Sequence, residues 1–289
     1  MKILICGVDG QVGNALVNTC PNKNKLYLTN KKDLDITNIG DVRRTLKEIK
    51  PDFVINVAAF TSVDNAEVQK NLAHNVNSNG PKNLSIISKE TNSFLIHLST
   101  NYVFDGTKKI PYVEKDKTNP LSVYGSTKLL GEQQIIKNLE NFLIFRVSGI
   151  YGPSKNNFLT KVLEIGKKKD SIKIVSDQYG RPTSSNLLAE TIWTSIDRIR
   201  DNNKIKGLYH YSESGEIISW HEFAKVIFKY AEKKGYKGPK ILPVLSKDYK
   251  QLAERPKYST LDISKSLDEL ELFSTNWKES LFNTINIIL

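Results

Sequence analysis

Short, largely apolar runs recur along the first half of the chain: Ile3–Cys6, Leu26–Leu28, Phe53–Val57, Phe94–Leu98 and Phe142–Phe145, the third and fourth each holding one polar residue, Asn56 and His97. Runs with no polar alternation predict strands buried on both faces, as in a parallel sheet covered by helices. Between them the apolar residues fall at helical spacing. Val12, Ala15 and Leu16 follow the first run, and Leu84, Ile86 and Ile87 mark a later face. Leu34-Asp35-Ile36-Thr37 opens a helix that continues through Val42, Leu46 and Ile49 and ends at Pro51; Thr61 to Asp64 reads as a turn. Strand and helix in alternation predict an α/β fold, a Rossmann-type doubly wound parallel sheet, to about Ile150. Beyond that the rhythm changes. A strand is expected at Ile172–Val175, a loop at Gln178–Thr183, helices at Leu187–Ile199 and Trp220–Ala231, and a strand at Leu208–Tyr211. Residues 1–150 are thus expected to form a dinucleotide-binding domain, with the helix near 186–200 returning to it. Residues 151–289 should form mainly a smaller, interleaved substrate-binding domain.

Bulk composition narrows the picture. The chain has 289 residues, 39% of them hydrophobic, and a formal charge of +11. Its basic residues are scattered, and the densest runs, Lys167–Lys169 and Lys31-Lys32, lack interleaved aromatics. This argues against nucleic acid and for a solvated lysine surface that attracts anionic nucleotides. No apolar stretch reaches membrane-spanning length, and Ile3–Cys6 is too short for a signal peptide, so a cytoplasmic protein is expected. Two cysteines, Cys6 and Cys20, give no disulfide or metal framework.

Four places carry candidate chemistry. Gly7-Val8-Asp9-Gly10-Gln11-Val12-Gly13 places glycines in a strand-turn-helix context, where backbone approaches a pyrophosphate and a helix N-terminus offers free N–H groups. After the second strand comes Asn30 with Lys31 and Lys32, and no acid; this favours a 2′-phosphate on the adenosine ribose, hence NADPH, with NADH possible. Ser99-Thr100 closes an apolar strand at the end where open α/β sheets bind ligands. Tyr124 and Lys128 lie one helical turn apart, so an ammonium can stand near a phenol, lower its pKa and poise it to protonate a carbonyl. A tyrosine and lysine at this spacing also occur on ordinary surface helices; the glycine turn and Thr100 give the pair its weight. His97, His210 and His221 read as packing residues.

These segments resemble the extended short-chain dehydrogenase/reductases, and within them the dTDP-4-dehydrorhamnose reductase branch. The likeness runs through GVDGQVG (Gly7–Gly13), LDIT (Leu34–Thr37), VINVAAFTSVDNAE (Val54–Glu67) and HLSTNYVFDG (His97–Gly106). It continues in PLSVYGSTKLLGE (Pro120–Glu132), YGPSKNNF (Tyr151–Phe158), DQYGRPT (Asp177–Thr183), ISWHEFA (Ile218–Ala224) and RPKYSTLD (Arg255–Asp262). It implies reduction of the C4 ketone of a nucleoside-diphosphate 4-keto-6-deoxyhexose by a nicotinamide. Thr100, Tyr124 and Lys128 would be catalytic. Gly7, Gly10, Gln11, Val12, Asn30, Asp35, Ile36, Ala58, Ala59 and Thr61 would hold the cofactor with Tyr124 and Lys128. Asn101, Tyr102, Ser148, Gly149, Asn157 and Arg255 would meet the nucleotide-sugar substrate, in a chain that could pair as a homodimer.

Two positions depart from the branch: Asn101 stands where an aspartate is usual, and Gly149 where a tryptophan is frequent. Both look towards the sugar and bear on which sugar is accepted. Two other readings stay open. One is a non-catalytic dinucleotide-binding subunit like the regulatory subunit of methionine adenosyltransferase; the other is a different nucleotide-sugar reductase, epimerase or dehydratase.

Overall fold

The computed structural model describes residues 1–21, 24–154, 156–202 and 204–289. Of the segments quoted above, only Lys155 in the Tyr151–Phe158 run lies outside them. Six strands form one sheet: β1 (Lys2–Cys6), β2 (Lys25–Thr29), β3 (Phe53–Asn56), β4 (Phe94–Thr100), β5 (Phe142–Val147) and β6 (Gly207–Tyr211). Their spatial order is β6-β5-β4-β3-β1-β2, and every pairing is parallel.

The apolar runs are explained by helices on both faces. Ile3, Ile5, Ile55, Ile96, Leu143 and Phe145 point to one side, against α1 (Gln11–Asn18) and a late helix. Leu4, Cys6, Val54, Leu95 and Ile144 point to the other, against α2 (Ile39–Ile49), α3 (Gly80–Thr91) and α4 (Val123–Asn138). The late helix, α5 (Ser185–Asp201), packs Leu188, Ile192, Trp193 and Ile196 on the α1 side.

Local differences from expectation have local causes. α2 begins at Ile39 because Asn38 caps it, its side chain accepting from Gly40 N at 2.9 Å and Asp41 N at 3.3 Å. Leu34–Thr37 is a turn instead, held by Asp35, which accepts from the Thr37 N–H and hydroxyl. The expected turn at Thr61–Asp64 already enters a short helix, Val63–Val68. Within the expected loop at Gln178–Thr183, Tyr179–Gly180 and Thr183–Ser184 pair with Ile218–Ser219 and Ile150–Tyr151.

The largest difference is β6. Residues 207–211, placed by their position in the smaller domain, extend the main sheet beyond β5 with Gly207 opposite Leu143 and Tyr211 opposite Val147. The chain therefore leaves the sheet after β5 and returns through α5 and β6 before leaving again. A second hydrophobic core gathers the remainder: Leu159, Val162, Phe223, Ile227, Trp277 and Leu281. Its elements include helices Phe158–Gly166, Trp220–Glu232 and Trp277–Ile288, with Ser171–Val175 paired in parallel to Lys240–Val244.

Candidate active site

A cleft of about 1030 Å³ crosses the C-terminal ends of the strands. One end is built from Gly7, Gly10, Gln11, Val12, Asn30, Lys31, Asp35, Ile36, Ala58, Ala59 and Thr61; the other holds Thr100, Asn101, Tyr102, Tyr124 and Lys128. Gly149, Asn157 and Trp220 close the second end from the other lobe.

The glycine end has the properties of an anion seat. Gly7 sits at φ +94°, and a Cβ there would come within 2.7 Å of Ala58 N, so only glycine allows the turn to lie this close to β3. Gly10 caps α1 without any side-chain bond, which leaves the first-turn N–H groups unpartnered. The buried Gln11 Oε1 likewise has no partner. Free donors at a helix N-terminus together with an orphaned side-chain acceptor fit a dinucleotide, the donors its pyrophosphate and the acceptor a ribose hydroxyl. Asn30 organises its own loop, its Oδ1 accepting from Lys32 N at 2.8 Å; Lys31 lines the cleft while Lys32 does not.

At the reactive end, Ser122 caps α4 by accepting from Gly125 N at 3.2 Å, which sets the helix phase that turns Tyr124 and Lys128 into the cleft. The half-buried Tyr124 ring meets Tyr102 edge-on, with centroids 5.7 Å apart. Burial pushes its phenol up to about 12; a hydrogen bond with Thr100 opposes that rise. This corrects the expectation that Lys128 lowers it. The Lys128 amine is turned elsewhere, donating to the Leu98 carbonyl at 2.5 Å and lying 3.1 Å from His97 Nε2. Burial lowers Lys128 to about 8, against the opposing pull of Glu132.

Glu132, one turn beyond Lys128, forms a buried pair with Arg146, with Nε to Oε1 at 3.0 Å and Nη2 to Oε2 at 2.7 Å. The Ser99 hydroxyl donates to the same carboxylate. Arg146 lies over the Phe104 ring at 5.0 Å. These contacts lock the end of β4, which carries Thr100, to α4 and β5.

The residues expected to meet substrate are placed differently from one another. Asn101 lines the cleft, but its amide nitrogen is taken by Ser259, at 2.7 Å to the hydroxyl and 3.1 Å to the carbonyl, and its Oδ1 accepts from Thr100 at 3.3 Å. Asn157 is consumed as the cap of helix Phe158–Gly166, its amide donating to Gly152 O at 2.9 Å. Ser148 faces an adjoining pocket with Gln178, Arg181 and Phe223, and donates to Arg181 O at 2.8 Å. Arg255 lines neither cavity. It is paired with Asp64 at 2.7 Å and acts on the phenol of Tyr102, so it bears on the site through that residue. Gly149 adopts φ +55°, and Trp220 Cη2 stands 3.5 Å from where its Cβ would be, so an aromatic already covers the space.

Three positions that the sequence reading did not assign to the site support it. Asn77, in the π-helical turn Asn75–Asn79, clamps Phe60 from both sides, accepting from its N–H at 2.8 Å and donating to its carbonyl at 3.1 Å. Its amide also reaches Thr127 Oγ1 at 3.2 Å, which ties the cleft wall to α4. Asn56 is the second and Ser259 the third. A π turn inside a helix is the kind of feature that marks function.

An anion-seeking helix end and a phenol facing each other along one cleft over a parallel sheet make this a Rossmann-type, dinucleotide-dependent oxidoreductase in layout. Comparison with known proteins narrows the class. The family described as RmlD substrate binding domain matches residues 1–289, and the chain belongs to it. The dTDP-4-dehydrorhamnose reductase of Salmonella typhimurium is 35% identical over 284 residues, covering 96% of this chain and 95% of that one. A crystal structure of a dTDP-4-dehydrorhamnose reductase from Clostridium acetobutylicum superposes with a TM-score of 0.92 at 38% identity, over 100% of this chain and 99% of that one. The Bacillus anthracis enzyme, crystallised with NADP, gives 0.90 at 33% identity and 99% coverage of each chain.

Proposed function

We propose that the protein reduces the C4 ketone of a nucleoside-diphosphate 4-keto-6-deoxyhexose with NADPH, converting dTDP-4-dehydro-L-rhamnose to dTDP-L-rhamnose. The observation that carries this reading is the convergence of Thr100, Tyr124 and Lys128 at one end of a cleft whose other end is the uncapped α1 N-terminus. Its relatives named as dTDP-4-dehydrorhamnose reductases, one of them holding NADP, support the substrate and the cofactor.

The nicotinamide, when bound, supplies the hydride to C4. Tyr124 gives its proton to the carbonyl oxygen, and solvent returns one to the phenolate. A phenol held high in pKa remains a sufficient acid here, because the alkoxide that forms is the stronger base. Thr100 orients the same oxygen from the end of β4, and Lys128, whose amine donates to Leu98 O, would hold the nicotinamide ribose with a remaining N–H. The aromatic wall of Tyr102, Trp220 and Phe223 and the pocket around Ser148 and Arg181 accept the nucleotide sugar.

The test is turnover: purified protein with NADPH and dTDP-4-dehydro-L-rhamnose, followed by loss of reduced-nicotinamide absorbance and gain of the dTDP-sugar alcohol. Tight NADPH binding with no turnover would instead support a dinucleotide-binding partner protein.

A further inference from the structure

Behind the cleft, three buried side chains fix one another's hydrogens. Asn56 and His97 are register partners on β3 and β4, and both are closed to solvent, as is Lys128. The Ala58 N–H donates to Asn56 Oδ1 at 3.2 Å, so the Asn56 amide nitrogen is the group that faces His97 Nδ1 at 3.0 Å. A neutral imidazole has one donor and one acceptor nitrogen. With Nδ1 accepting, the proton sits on Nε2, which points at Lys128 Nζ 3.1 Å away. An ammonium has only donors and cannot face an N–H. A neutral amine can, through its lone pair, while still donating to Leu98 O. A charged Lys128 needs the imidazole proton on Nδ1. Asn56 must then turn its amide and take the acceptor away from Ala58 N–H, in the wall of the cleft.

We propose that Asn56 and His97 are positioning residues that couple the charge of Lys128 to the tautomer of His97. The proton is on Nε2 beside a neutral amine and on Nδ1 beside an ammonium, with a half-turn of the Asn56 amide between the two states. The net change is uptake of one proton from solvent. The inference rests on the reading of Lys128 as the residue at the nicotinamide end.

The other groups around Lys128 do not replace this coupling. Glu132 favours the ammonium but is itself held by Arg146 and Ser99. Tyr124 and Tyr102 are neutral phenols raised by burial. Glu67, on helix Val63–Val68, is used by the Val123 N–H at the start of α4. His97 is lowered well below its ordinary value by burial and by Lys128, so the imidazolium does not compete. The amine–ammonium change falls near pH 8.

The test reads the ring nitrogens by NMR of protein labelled with ¹⁵N-histidine. The chain has 4 histidines, and the signal lost in His97→Gln identifies His97. The expected result is a proton on Nε2 at about pH 10 that moves to Nδ1 by about pH 6, and no move in Lys128→Met. Asn56→Asp, an isosteric change whose carboxylate accepts from Nδ1–H, should hold the proton on Nδ1 throughout. That variant also serves if His97→Gln does not fold. A wild-type proton that stays on one nitrogen across this range, or one that moves equally in Lys128→Met, overturns the coupling. The measurement needs no substrate, so it stands apart from success or failure of the reductase assay.

Discussion

Replacing Glu132 with methionine isolates the buried ion pair that joins α4 to β5. Both partners are closed to solvent, at 4% exposure for Arg146 and 1% for Glu132, and two of their contacts are 3.0 Å or shorter. Removing the carboxylate leaves the guanidinium buried between Phe104 and a His210 that burial and Arg146 keep neutral, with His210 lowered to about 3. An uncompensated buried charge costs about 3–5 kcal/mol, while replacing both partners by apolar groups is often neutral. With an unfolding entropy of about 2.1 cal/mol/K per residue over 289 residues, that cost lowers Tm by about 5–8 °C. The assay is urea and thermal unfolding of Glu132→Met, Arg146→Met and the double variant. The double should be more stable than either single variant, with a coupling of at least about 2 kcal/mol. A loss below about 1 kcal/mol in Glu132→Met, or a double variant at the sum of the singles, would refute this account of how the strand end and α4 are held together.

Tyr124→Phe should lower kcat by about 10²–10⁴-fold with little change in the Kd for NADPH, because the phenol acts on the developing alkoxide; steady-state kinetics and a fluorescence titration check this together. NADPH should be preferred to NADH by roughly tenfold or more through a charge-assisted contact from Lys31, and Lys31→Glu should reduce or reverse the ratio of the two kcat/KM values. Gly149→Trp should lose stability before it alters sugar choice, since it places a bulky side chain at φ +55° with Pro182 Cα 3.2 Å from the new Cβ; equal Tm in variant and wild type would contradict this. Asn101→Asp should also lower Tm, because it turns the amide donor to the Ser259 carbonyl into an acceptor facing an acceptor.

Strands β1, β3, β4 and β5 were legible because burial on both faces leaves a largely apolar run, and the edge strand β2 through Leu26-Tyr27-Leu28. β6 was legible as a strand from Leu208–Tyr211, but its membership of the sheet was not. Nothing within Gly207–Tyr211 says which strand it pairs with; that is decided by α5 bringing it back to the open edge of β5. The start of α2 was misplaced for a similar reason. Leu34 and Ile36 are apolar and buried, yet Asn38 is the residue whose side chain can cap. The spacing of Tyr124 and Lys128 placed both in the cleft but could not tell where the ammonium points. Its partners, Leu98 O and His97, come from β4, 30 and 31 residues away. The commitment of Asn101 to Ser259 spans 158 residues, and no local pattern carries it.

The return of β6 to the sheet also bears on how the chain is made. At an elongation rate of about 5–20 residues per second, the 60 residues from Val147 to Gly207 take roughly 3–12 s to emerge. For that interval the β5 edge, with fully buried Leu143 and Phe145 in its finished form, has unpaired backbone groups and no neighbour. An apolar parallel edge left open is a template for pairing with another nascent chain. Crowded synthesis on one message should therefore favour aggregation through β5, and chaperone binding during this window should raise the yield of native protein more than binding after release.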